Sequence, residues 1–552
     1  MKDGSKIPCD VSVKRWAGIA VAAFAAVVAA SEWLLGQSLC GWEFCYPLDD
    51  TYIHMALARQ LATSGTWGLE PGVPVFASSS PLWTVVLAIV FKIFGARDWI
   101  PLILSYAFAF GSVILAFRLW ERAGLKTAQA VWAGIALVAV IPFTTLSNLG
   151  MEHALHFFLV EATLLGAWDC LSDGNSSRKS VAFLLVSAAL ATGARYESLF
   201  IVAPLALLFA LRRRFALACL LMVAAFLPVV AMGFYALSCD RPFFPASLLM
   251  KANVGGLDSI VTGIIAIYEG INSDSIHFHL SVILLLAVAV FSCEGILVKE
   301  IAFALAIAAL GHGVFARLGW LYRYEAYLIG AAATILPIAV ANSKLAECAN
   351  RREPILRWAL LLLFAGISFP FIARSFKAQY DTTIASREIY GQQMQMGRIF
   401  ATLPDELKGS VAVGDLGCVA YYSGAHVLDV MGLGTPEVAD AARTNRLKGV
   451  FPELFRQNNV RYAAIYDEWF DLKSLCPRLR VVAKLVMEYP RIICAGDKVL
   501  LCVTQERDVE PFIRHLREFA NKLPAGVRVD FTVDFDGKLR ESETFMHKAT
   551  MQ

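Results

Sequence analysis

Long uninterrupted hydrophobic runs dominate the first two thirds of the chain. Runs of about 17 to 22 apolar residues recur there, which is the length that a helix needs to cross the hydrocarbon core of a bilayer. The first run covers residues 16–36 and the last covers residues 358–373, and short polar segments separate the runs. The pattern predicts an α-helical polytopic membrane protein with about eleven transmembrane helices.

The hydrophobic pattern changes after the last of these runs. Residues 376–552 are more polar, and short strand-like runs alternate there with helical stretches. The strand-like runs are Val411–Val413, His426–Val430, Tyr462–Tyr466 and Lys498–Val503. Such alternation is typical of a compact α/β domain of about 150 residues. We therefore divide the chain into a membrane domain, residues 1–375, and a second domain, residues 376–552.

Basic residues between the apolar runs predict the orientation in the membrane. Lys2, Lys6, Lys14 and Arg15 precede the first run, so the amino terminus is expected to be cytoplasmic. We expect the later basic loops to be cytoplasmic as well. If segment 81–95 is an interfacial helix, the number of spans is then odd. The loop of residues 37–98 and the domain of residues 376–552 are then extracytoplasmic.

Composition agrees with a membrane protein and adds little about partners. The 552 residues are 57% hydrophobic and only 17% charged, whereas soluble domains carry about a quarter charged residues. The net charge of +3 gives no indication of a nucleic-acid partner. Cys40 and Cys45 flank a short turn on the oxidising side and could form a disulfide.

Two adjacent carboxylates, Asp49 and Asp50, follow the first predicted span. Acidic groups at a membrane boundary cost desolvation energy unless they bind a cation, a metal or a reacting proton. The alternative is a pair of solvated aspartates that cap the next helix. The amphipathic stretch of residues 52–62 is expected to lie in the interface and to present both aspartates, with His54, at the membrane surface.

Charged and aromatic residues gather at the predicted outer ends of other helices. These clusters contain Glu152 and His153, Arg195 and Glu197, Arg241 to Lys251, and Arg323 to Glu325. Each could simply extend its charge toward lipid headgroups. Together with the aspartates on one face of the membrane, they predict the wall of a single polar cavity.

These motifs resemble the GT-C membrane glycosyltransferases, in particular the branch of the mycobacterial terminal arabinofuranosyltransferase. The similar motifs are Asp49–Ile53, Ala58–Leu61, Ser80–Trp83, Gly150–Glu152, Arg195–Glu197, Arg323–Tyr324 and, in the second domain, Val413–Gly417, Tyr421–Gly424 and Asp429–Leu433. Where relatives often carry Pro-Asn-Thr, this chain has Pro245-Ala246-Ser247, which affects the identity of the sugar more than the reaction.

The resemblance implies transfer of a sugar, arabinofuranose or another pentose or hexose, from a polyprenyl-phosphate donor. The acceptor would be a hydroxyl of a cell-envelope glycan, lipid or protein, and the enzyme would lie among the lipids of the bacterial inner (plasma) membrane. Direct displacement would invert the anomeric centre. Asp49 would then be the base, and Asp50 would orient the acceptor or, with Asp49, hold a divalent cation such as Mg, Mn or Ca.

The leaving phosphate requires positive charge, and sugar hydroxyls require polar or aromatic partners. The candidates for binding the donor phosphate are Lys251, Arg323, Arg195 and Arg59. The candidates for binding sugar or acceptor are Glu152, Glu197, His54, Tyr52 and Tyr324. Aromatic residues near the boundary, Tyr52, Trp67 and Trp83 among them, could equally be interface anchors.

Two other classes of function stay open on the sequence. A flippase or transporter of lipid-linked sugars would place ionisable residues at mid-membrane and show internal repeats, neither of which the sequence indicates. A non-catalytic scaffold for envelope assembly would act through the second domain. Replacement of Asp49 separates these classes, because only an enzyme would lose turnover.

Overall fold

The structure is a computed structural model that describes residues 7–172, 176–245, 274–343, 354–444, 446–470, 472–533 and 539–545. Helices fill the amino-terminal part. They are α1 (Ile7–Leu39), α2 (Asp49–Ser64), α3 (Pro81–Phe94), α4 (Trp99–Arg122), α5 (Thr127–Val140), α6 (Phe143–Asn148), α7 (His153–Ser172), α8 (Arg178–Ala194), α9 (Leu199–Leu211), α10 (Phe215–Ser238), α11 (Asp274–Ser292), α12 (Ile296–Phe315), α13 (Ala326–Ala341) and α14 (Pro354–Gly391).

Several of these helices are suited to a bilayer. Among the described residues, five helices are long and apolar enough to cross a membrane. These stretches are Ser12–Leu39, Ile100–Arg122, His153–Ser172, Phe215–Ser238 and Ile296–Phe315. Shorter apolar helices accompany them, and large apolar side chains such as Phe24, Phe226 and Phe291 are exposed, as expected for contact with lipid. A multi-pass membrane protein is therefore confirmed, while the number of eleven spans stays a prediction.

The loop after α1 contains α2, α3 and a small antiparallel hairpin, β1 (Gly68–Glu70) and β2 (Val73–Pro74). Helix α3 has 14 residues, or about 21 Å at 1.5 Å per residue, which is too short to cross the hydrocarbon core. Its first turn explains the Ser-Pro-Leu-Trp motif, because Ser80 caps the helix by accepting a hydrogen bond from the Trp83 amide and Pro81 occupies the first position.

The prediction that residues 52–62 lie on the membrane interface is wrong. Helix α2 is enclosed by protein, and eight consecutive residues from Thr51 to Ala58 are buried. The alternative that Tyr52, Trp67 and Trp83 anchor the protein at the interface is also wrong, since all three side chains are buried in hydrophobic clusters. The amphipathic pattern correctly predicts a helix, but the apolar face of this helix packs on protein rather than on lipid.

The carboxyl-terminal part is an α/β unit, as predicted. Its helices are α15 (Gln393–Ala401), α16 (Gly417–Tyr422), α17 (Pro436–Arg443), α18 (Leu447–Gln457), α19 (Leu472–Leu475) and α20 (Val509–Ala520). Its strands are β3 (Ser410–Val413), β4 (Val427–Asp429), β5 (Val460–Ile465), β6 (Arg480–Met487), β7 (Lys498–Val503), β8 (Val527–Val533) and β9 (Leu539–Phe545). Four of these strands match the predicted runs.

The strands form one sheet in the order β4-β3-β5-β7-β6-β8-β9. The pairs β3–β4 and β3–β5 are parallel, and the remaining pairs are antiparallel. The loop between β3 and α16, residues 414–416, follows the carboxyl end of a parallel strand. Helix α14 runs through residue 375 without interruption, so the division into two domains at this point stays a prediction.

Candidate active site

Asp49 lies where the two parts of the chain meet. Helix α16 has no side-chain cap of its own, because Leu416 occupies its N-cap position. Asp49 supplies the missing cap: its Oδ2 accepts a hydrogen bond from the Gly417 amide (2.6 Å) and its Oδ1 accepts one from the Cys418 amide (2.8 Å). A carboxylate at a helix amino terminus also interacts favourably with the helix dipole. Asp49 is thus held rigidly in place.

The opposite end of α16 is held by the same helix, α2. The Arg59 guanidinium donates to the carbonyl oxygens of Tyr421 (2.7 Å) and Ala420 (3.3 Å) and lies over the Tyr421 ring. Asp98 accepts hydrogen bonds from the hydroxyl groups of Tyr421 (2.9 Å) and Tyr422 (3.1 Å). Arg59, predicted to bind phosphate, instead binds the carboxyl end of a helix, where a cation is favourable.

Asp50, unlike Asp49, forms an ion pair with an arginine. Its Oδ2 accepts a hydrogen bond from Nη2 of Arg323 (2.5 Å). The Arg323 side chain is 1% exposed and that of Asp50 is 26% exposed, so the pair lies at the edge of the protein interior. Nη1 of Arg323 contacts the Met151 sulfur, and the guanidinium lies over the ring of Tyr324. Asp50 is therefore the more accessible partner of this pair.

The chain before Arg323 adopts an unusual backbone conformation. Gly319, Trp320, Leu321 and Tyr322 have φ angles of +81°, +46°, +51° and +62°. Left-handed backbone costs about 1–2 kcal/mol for each residue with a side chain, and such conformations cluster at ligand-binding sites. Side chains hold the turn in place: the Gly319 amide donates to Glu325, and the Tyr322 hydroxyl donates to Asp381 (2.6 Å). This turn delivers Arg323 to Asp50.

A second buried network surrounds Glu152. Gly150, with φ +65°, forms the turn before it, and a Cβ at this position would lie 2.3 Å from the Tyr46 ring. Oε1 of Glu152 accepts hydrogen bonds from Nη1 of Arg195 (2.7 Å) and from the Ser79 hydroxyl (3.1 Å). Oε2 lies 3.4 Å from Nε2 of His54. The predicted residues Glu152, Arg195 and His54 thus meet in one cluster.

Arg195 connects this cluster to the ring beside Arg323. Its second terminal nitrogen donates to Glu197, as expected for a sequence-adjacent ion pair. Its guanidinium also lies over the Tyr324 ring, 5.4 Å from the centroid, so Tyr324 contacts two buried cations. Within the described part of the chain, Nε of Arg195 and Nε of Arg323 have no hydrogen-bond acceptor. Buried charged donors without an acceptor are rare in proteins and are explained by a water molecule, an ion or a functional role.

The ionisation of these groups follows from their surroundings. Burial, with the negative charge of Asp415 and a smaller effect of Asp50, raises the pKa of Asp49 to about 7, although the two amide hydrogen bonds oppose this rise. Burial also raises the pKa of Glu152, but the cationic neighbours outweigh it and hold that pKa well below its usual range. Asp49 is therefore able to exchange a proton near neutral pH, whereas Glu152 stays ionised.

The residues do not fit a divalent cation. Both oxygens of Asp49 accept backbone amides, and Asp50 pairs with Arg323. Among the described residues, no group of three or more His, Cys, Asp or Glu side chains has a metal-binding arrangement. The predicted role of Asp49 and Asp50 as ligands of Mg, Mn or Ca is not supported by this geometry.

Three other predictions meet different outcomes. Tyr52 is fully buried, and its hydroxyl accepts a hydrogen bond from the Tyr46 amide, so it belongs to the core rather than to a sugar-binding surface. Lys251 lies outside the described residues. Cys40 and Cys45 are both buried and present as free thiols, without the proposed disulfide.

Two features escaped the sequence analysis. Glu161 lies near the middle of α7, fully buried, and accepts a hydrogen bond from the Thr334 hydroxyl (2.9 Å), so the ionisable residues are not confined to one face. Asp415 lies in the loop before α16, close enough to Asp49 to affect its ionisation. The signal for Asp415 was its place in Val413–Gly417, one of the segments that resemble the family, which gave no indication of contact with Asp49.

Comparison with known proteins agrees with this architecture. Residues 385–510 match a family described as "Domain of unknown function (DUF8728)". No curated protein sequence matches the chain. A crystal structure of ArnT from Cupriavidus metallidurans bound to undecaprenyl phosphate is similar, with a TM-score of 0.51 at 13% identity over 88% of this chain and 98% of that chain. The chain has the GT-C glycosyltransferase fold.

Two further structures are similar at lower scores. The Archaeoglobus fulgidus oligosaccharyltransferase in the apo form has a TM-score of 0.48 at 13% identity, over 85% of this chain and 73% of that one. The mycobacterial arabinofuranosyltransferase AftD has a TM-score of 0.43 at 13% identity, over 87% of this chain and 41% of that one. At this identity, the ArnT match establishes the fold alone, and the chemistry must be argued from the site.

Proposed function

We propose that the protein is a membrane glycosyltransferase that moves a sugar from a polyprenyl phosphate to a hydroxyl group of an envelope acceptor. The single observation that carries this proposal is the juxtaposition of a proton-accepting carboxylate, Asp49 beside Asp50, with a buried pair of arginines on one aromatic ring. The ArnT structure with undecaprenyl phosphate shows that a protein of this fold binds such a lipid. The sugar would be arabinofuranose or another pentose or hexose.

The donor phosphate would bind to Arg323 and Arg195. Each guanidinium keeps an Nε–H group without an acceptor, and the Tyr324 ring between them holds both in place. Glu152 and Glu197 fix Arg195 and Asp50 fixes Arg323, so the phosphate would bind through the remaining Nε–H groups rather than through an excess of positive charge. Lys251, in a neighbouring predicted loop, is proposed as a third cation on the basis of the family resemblance. Arg59 is not included, because its guanidinium already donates to a carbonyl oxygen at the end of α16.

The acceptor would approach Asp49 and Asp50. A base works best when its pKa is close to the ambient pH, and the pKa of Asp49 at about 7 meets this condition. Asp49 would take the proton of the acceptor hydroxyl as the oxygen attacks the anomeric carbon and the bond from that carbon to the phosphate oxygen breaks. Asp50, charged and partly exposed, would orient the acceptor. One direct displacement of this kind inverts the anomeric centre.

Replacing Arg323 by lysine is expected to slow transfer about tenfold to a hundredfold, because one ammonium group cannot contact Asp50 and a phosphate in the same geometry. Each charge-assisted hydrogen bond is worth about 1.5–3 kcal/mol, and about 1.4 kcal/mol corresponds to one decade in rate. Steady-state kinetics with varied donor would check this. A lower kcat indicates transition-state stabilisation, and a raised KM for the donor alone indicates uniform binding.

The control for this variant is Arg212→Lys. Arg212 also forms an ion pair with a carboxylate, that of Glu300, but it lies at a partly exposed loop after α9. Its replacement is expected to leave the kinetics unchanged, since exposed ion pairs contribute about 0–1 kcal/mol. Equal kinetics for Arg323→Lys and the wild type would remove Arg323 from the phosphate site.

The proposed function requires residues 376–552 and the site to lie outside the cytoplasm, with the amino terminus inside. A phosphatase reporter that is active only outside the cytoplasm should therefore be active when fused to the carboxyl terminus, and inactive when fused after residue 213 in the basic loop. The reverse pattern would contradict the eleven-span topology. It would also place the donor phosphate on the cytoplasmic side.

The function itself is tested by incubating the purified protein with synthetic polyprenyl-phosphate sugars and a panel of envelope glycans, lipids and peptides. Formation of a new glycoside with at least one pentose or hexose donor is expected. Consumption of none of the donors, by protein that is folded as judged by its thermal unfolding, would refute the assignment. Movement of intact donor across a vesicle membrane would favour the transporter class.

A further inference from the structure

The carboxyl-terminal part contacts the proposed site through one loop and one short helix. Residues 414–416 follow β3, and α16 begins directly after them. The two amides at the start of α16 bind Asp49, so the position of this loop relative to Asp49 is fixed by two hydrogen bonds of 2.6 and 2.8 Å. Gly417 is needed for this approach, because a Cβ there would lie 2.0 Å from the Asp49 carbonyl oxygen.

Asp415 is the ionisable side chain of that loop. Its Oδ2 accepts hydrogen bonds from the Tyr466 hydroxyl (2.6 Å) and from Nε2 of Gln393 (2.8 Å). Both donors are neutral, and Gln393 also donates to the Tyr466 hydroxyl (3.0 Å). Within the described chain, Asp415 forms no salt bridge, in contrast to Asp50. Its carboxylate is therefore positioned by a built network that does not cancel its charge.

We infer that Asp415, supplied by the carboxyl-terminal part, is the third carboxylate of the proton-transfer centre formed by Asp49 and Asp50. The inference rests on the proposed function. In this centre Asp415 is a positioning residue: its charge favours a proton on Asp49 at the moment when the acceptor oxygen loses one. The proton moves from the acceptor hydroxyl to Asp49, the new bond joins the acceptor oxygen to the anomeric carbon, and the phosphate leaves with the electrons of the broken bond.

The electrostatics of the surroundings agree with this role. The negative charge of Asp415 ranks directly after burial among the causes that raise the pKa of Asp49. The pKa of Asp415 is itself raised by burial and by the charge of Asp50, against the effect of its two hydrogen bonds. The other ionisable groups that face this pair are Asp50, Cys418, Tyr466 and Cys494. Cys418, Tyr466 and Cys494 are neutral, because burial raises the pKa of each, so Asp415 and Asp50 supply the negative charge that favours the protonated form of Asp49.

The matched domain of unknown function would thereby have a chemical role. Its residues 385–510 contain both the amides that hold Asp49 and the carboxylate of Asp415. The domain would then complete the active site in the same chain, rather than only bind a distant part of the glycan.

The test is the pH dependence of transfer by full-length Asp415→Asn, measured with the donor and acceptor that the wild type uses. Transfer requires ionised Asp49, so the wild-type rate should rise with pH through a midpoint near 7. Without the neighbouring charge, Asp49 loses its proton more readily, and the midpoint should fall by about one pH unit or more. The maximal rate should also fall, by about tenfold, because a weaker base accepts the proton less well.

Two companion variants make the result decisive. Tyr466→Phe removes a hydrogen bond that favours the ionised form of Asp415, so Asp415 is protonated more often and the midpoint of Asp49 should fall by a smaller amount. Asp467→Asn changes an exposed aspartate of the same region and should keep the wild-type profile. A lower rate for Asp415→Asn with an unmoved midpoint would reduce Asp415 to a structural role and overturn the inference.

Failure of the underlying function would look different. If the wild type transfers no sugar, the proposed function fails, and the role of Asp415 fails with it. If the wild type is active and Asp415→Asn matches it in both midpoint and rate, only the inference about Asp415 fails. If Asp415→Asn does not fold, the pH midpoint of Tyr466→Phe is the test instead. A lowered midpoint supports the role of Asp415, and an unmoved midpoint overturns it.

Discussion

Asp49→Asn is expected to lower the rate of sugar transfer by about a hundredfold to ten-thousandfold while the protein still inserts into the membrane, because the proposed base can no longer take a proton. Asparagine also turns one acceptor oxygen into a donor, so one amide of the Gly417–Cys418 pair loses its partner at a cost of about 1–3 kcal/mol. The measurement is single-turnover transfer by purified protein in detergent.

The matched control separates chemistry from docking of α16. Arg59→Gln weakens the other end of the same helix without touching the aspartates, since Arg59 binds the carbonyl oxygens of Ala420 and Tyr421. We expect this variant to lose much less activity than Asp49→Asn. Equal losses would show that Asp49 only docks the helix. Wild-type turnover by Asp49→Asn, with inactivity of Asp50→Asn, would assign the base to Asp50.

Gly417→Ala is expected to reduce transfer by about a hundredfold through a single added methyl group. The new Cβ would meet the Asp49 carbonyl oxygen at 2.0 Å and the Asp49 Oδ2 at 2.8 Å, so α16 must move away from α2. A misplacement of about 1 Å in catalytic geometry can cost about a hundredfold in rate. Hydrogen exchange of the Gly417 and Cys418 amides should quicken in the variant, which reports the movement independently of activity.

Gly449→Ala is the control for this substitution. Gly449 lies in α18, and a Cβ there would meet no atom within 4 Å. Alanine is favoured over glycine in a helix by about 1 kcal/mol, so this variant should be at least as stable as the wild type and equally active. Full activity of Gly417→Ala would mean that contact between α16 and Asp49 is not required for transfer.

The sequence predicted the helices and strands better than the contacts between them. Long apolar runs and short strand-like runs each have a length that identifies them, and α1, α3, β3 and β7 lie close to their predicted positions. Strands β6, β8 and β9 were missed. Strand β6, for example, carries Arg480 and Lys484 among its apolar residues. These charged residues prevent the kind of continuous apolar run that identifies β7. Its pairing on both sides stabilises it instead.

Contacts between distant segments were beyond the reach of local patterns. The apolar face of α2 predicted burial, but nothing in residues 52–62 distinguishes a lipid surface from the protein surface that covers it. Arg59 and Arg323 are chemically identical, yet one caps a helix and the other pairs with Asp50. Their roles depend on residues more than 250 positions away along the chain, as the separations of 362 and 273 show. Arg323 was a candidate because it lies at the predicted outer end of a helix and in a motif that resembles the family, and neither signal indicated its contact with Asp50.

The central claim is that a polyprenyl phosphate leaves as the acceptor hydroxyl attacks, with Asp49 as the base. The most direct measurement follows both products of one reaction by mass spectrometry: the free polyprenyl phosphate and the new glycoside. We predict equal amounts of the two, an inverted anomeric configuration in the glycoside, and formation of both products about a hundredfold or more slowly with Asp49→Asn. Release of polyprenyl phosphate at the same rate by wild type and Asp49→Asn, or a glycoside that forms without it, would contradict the account.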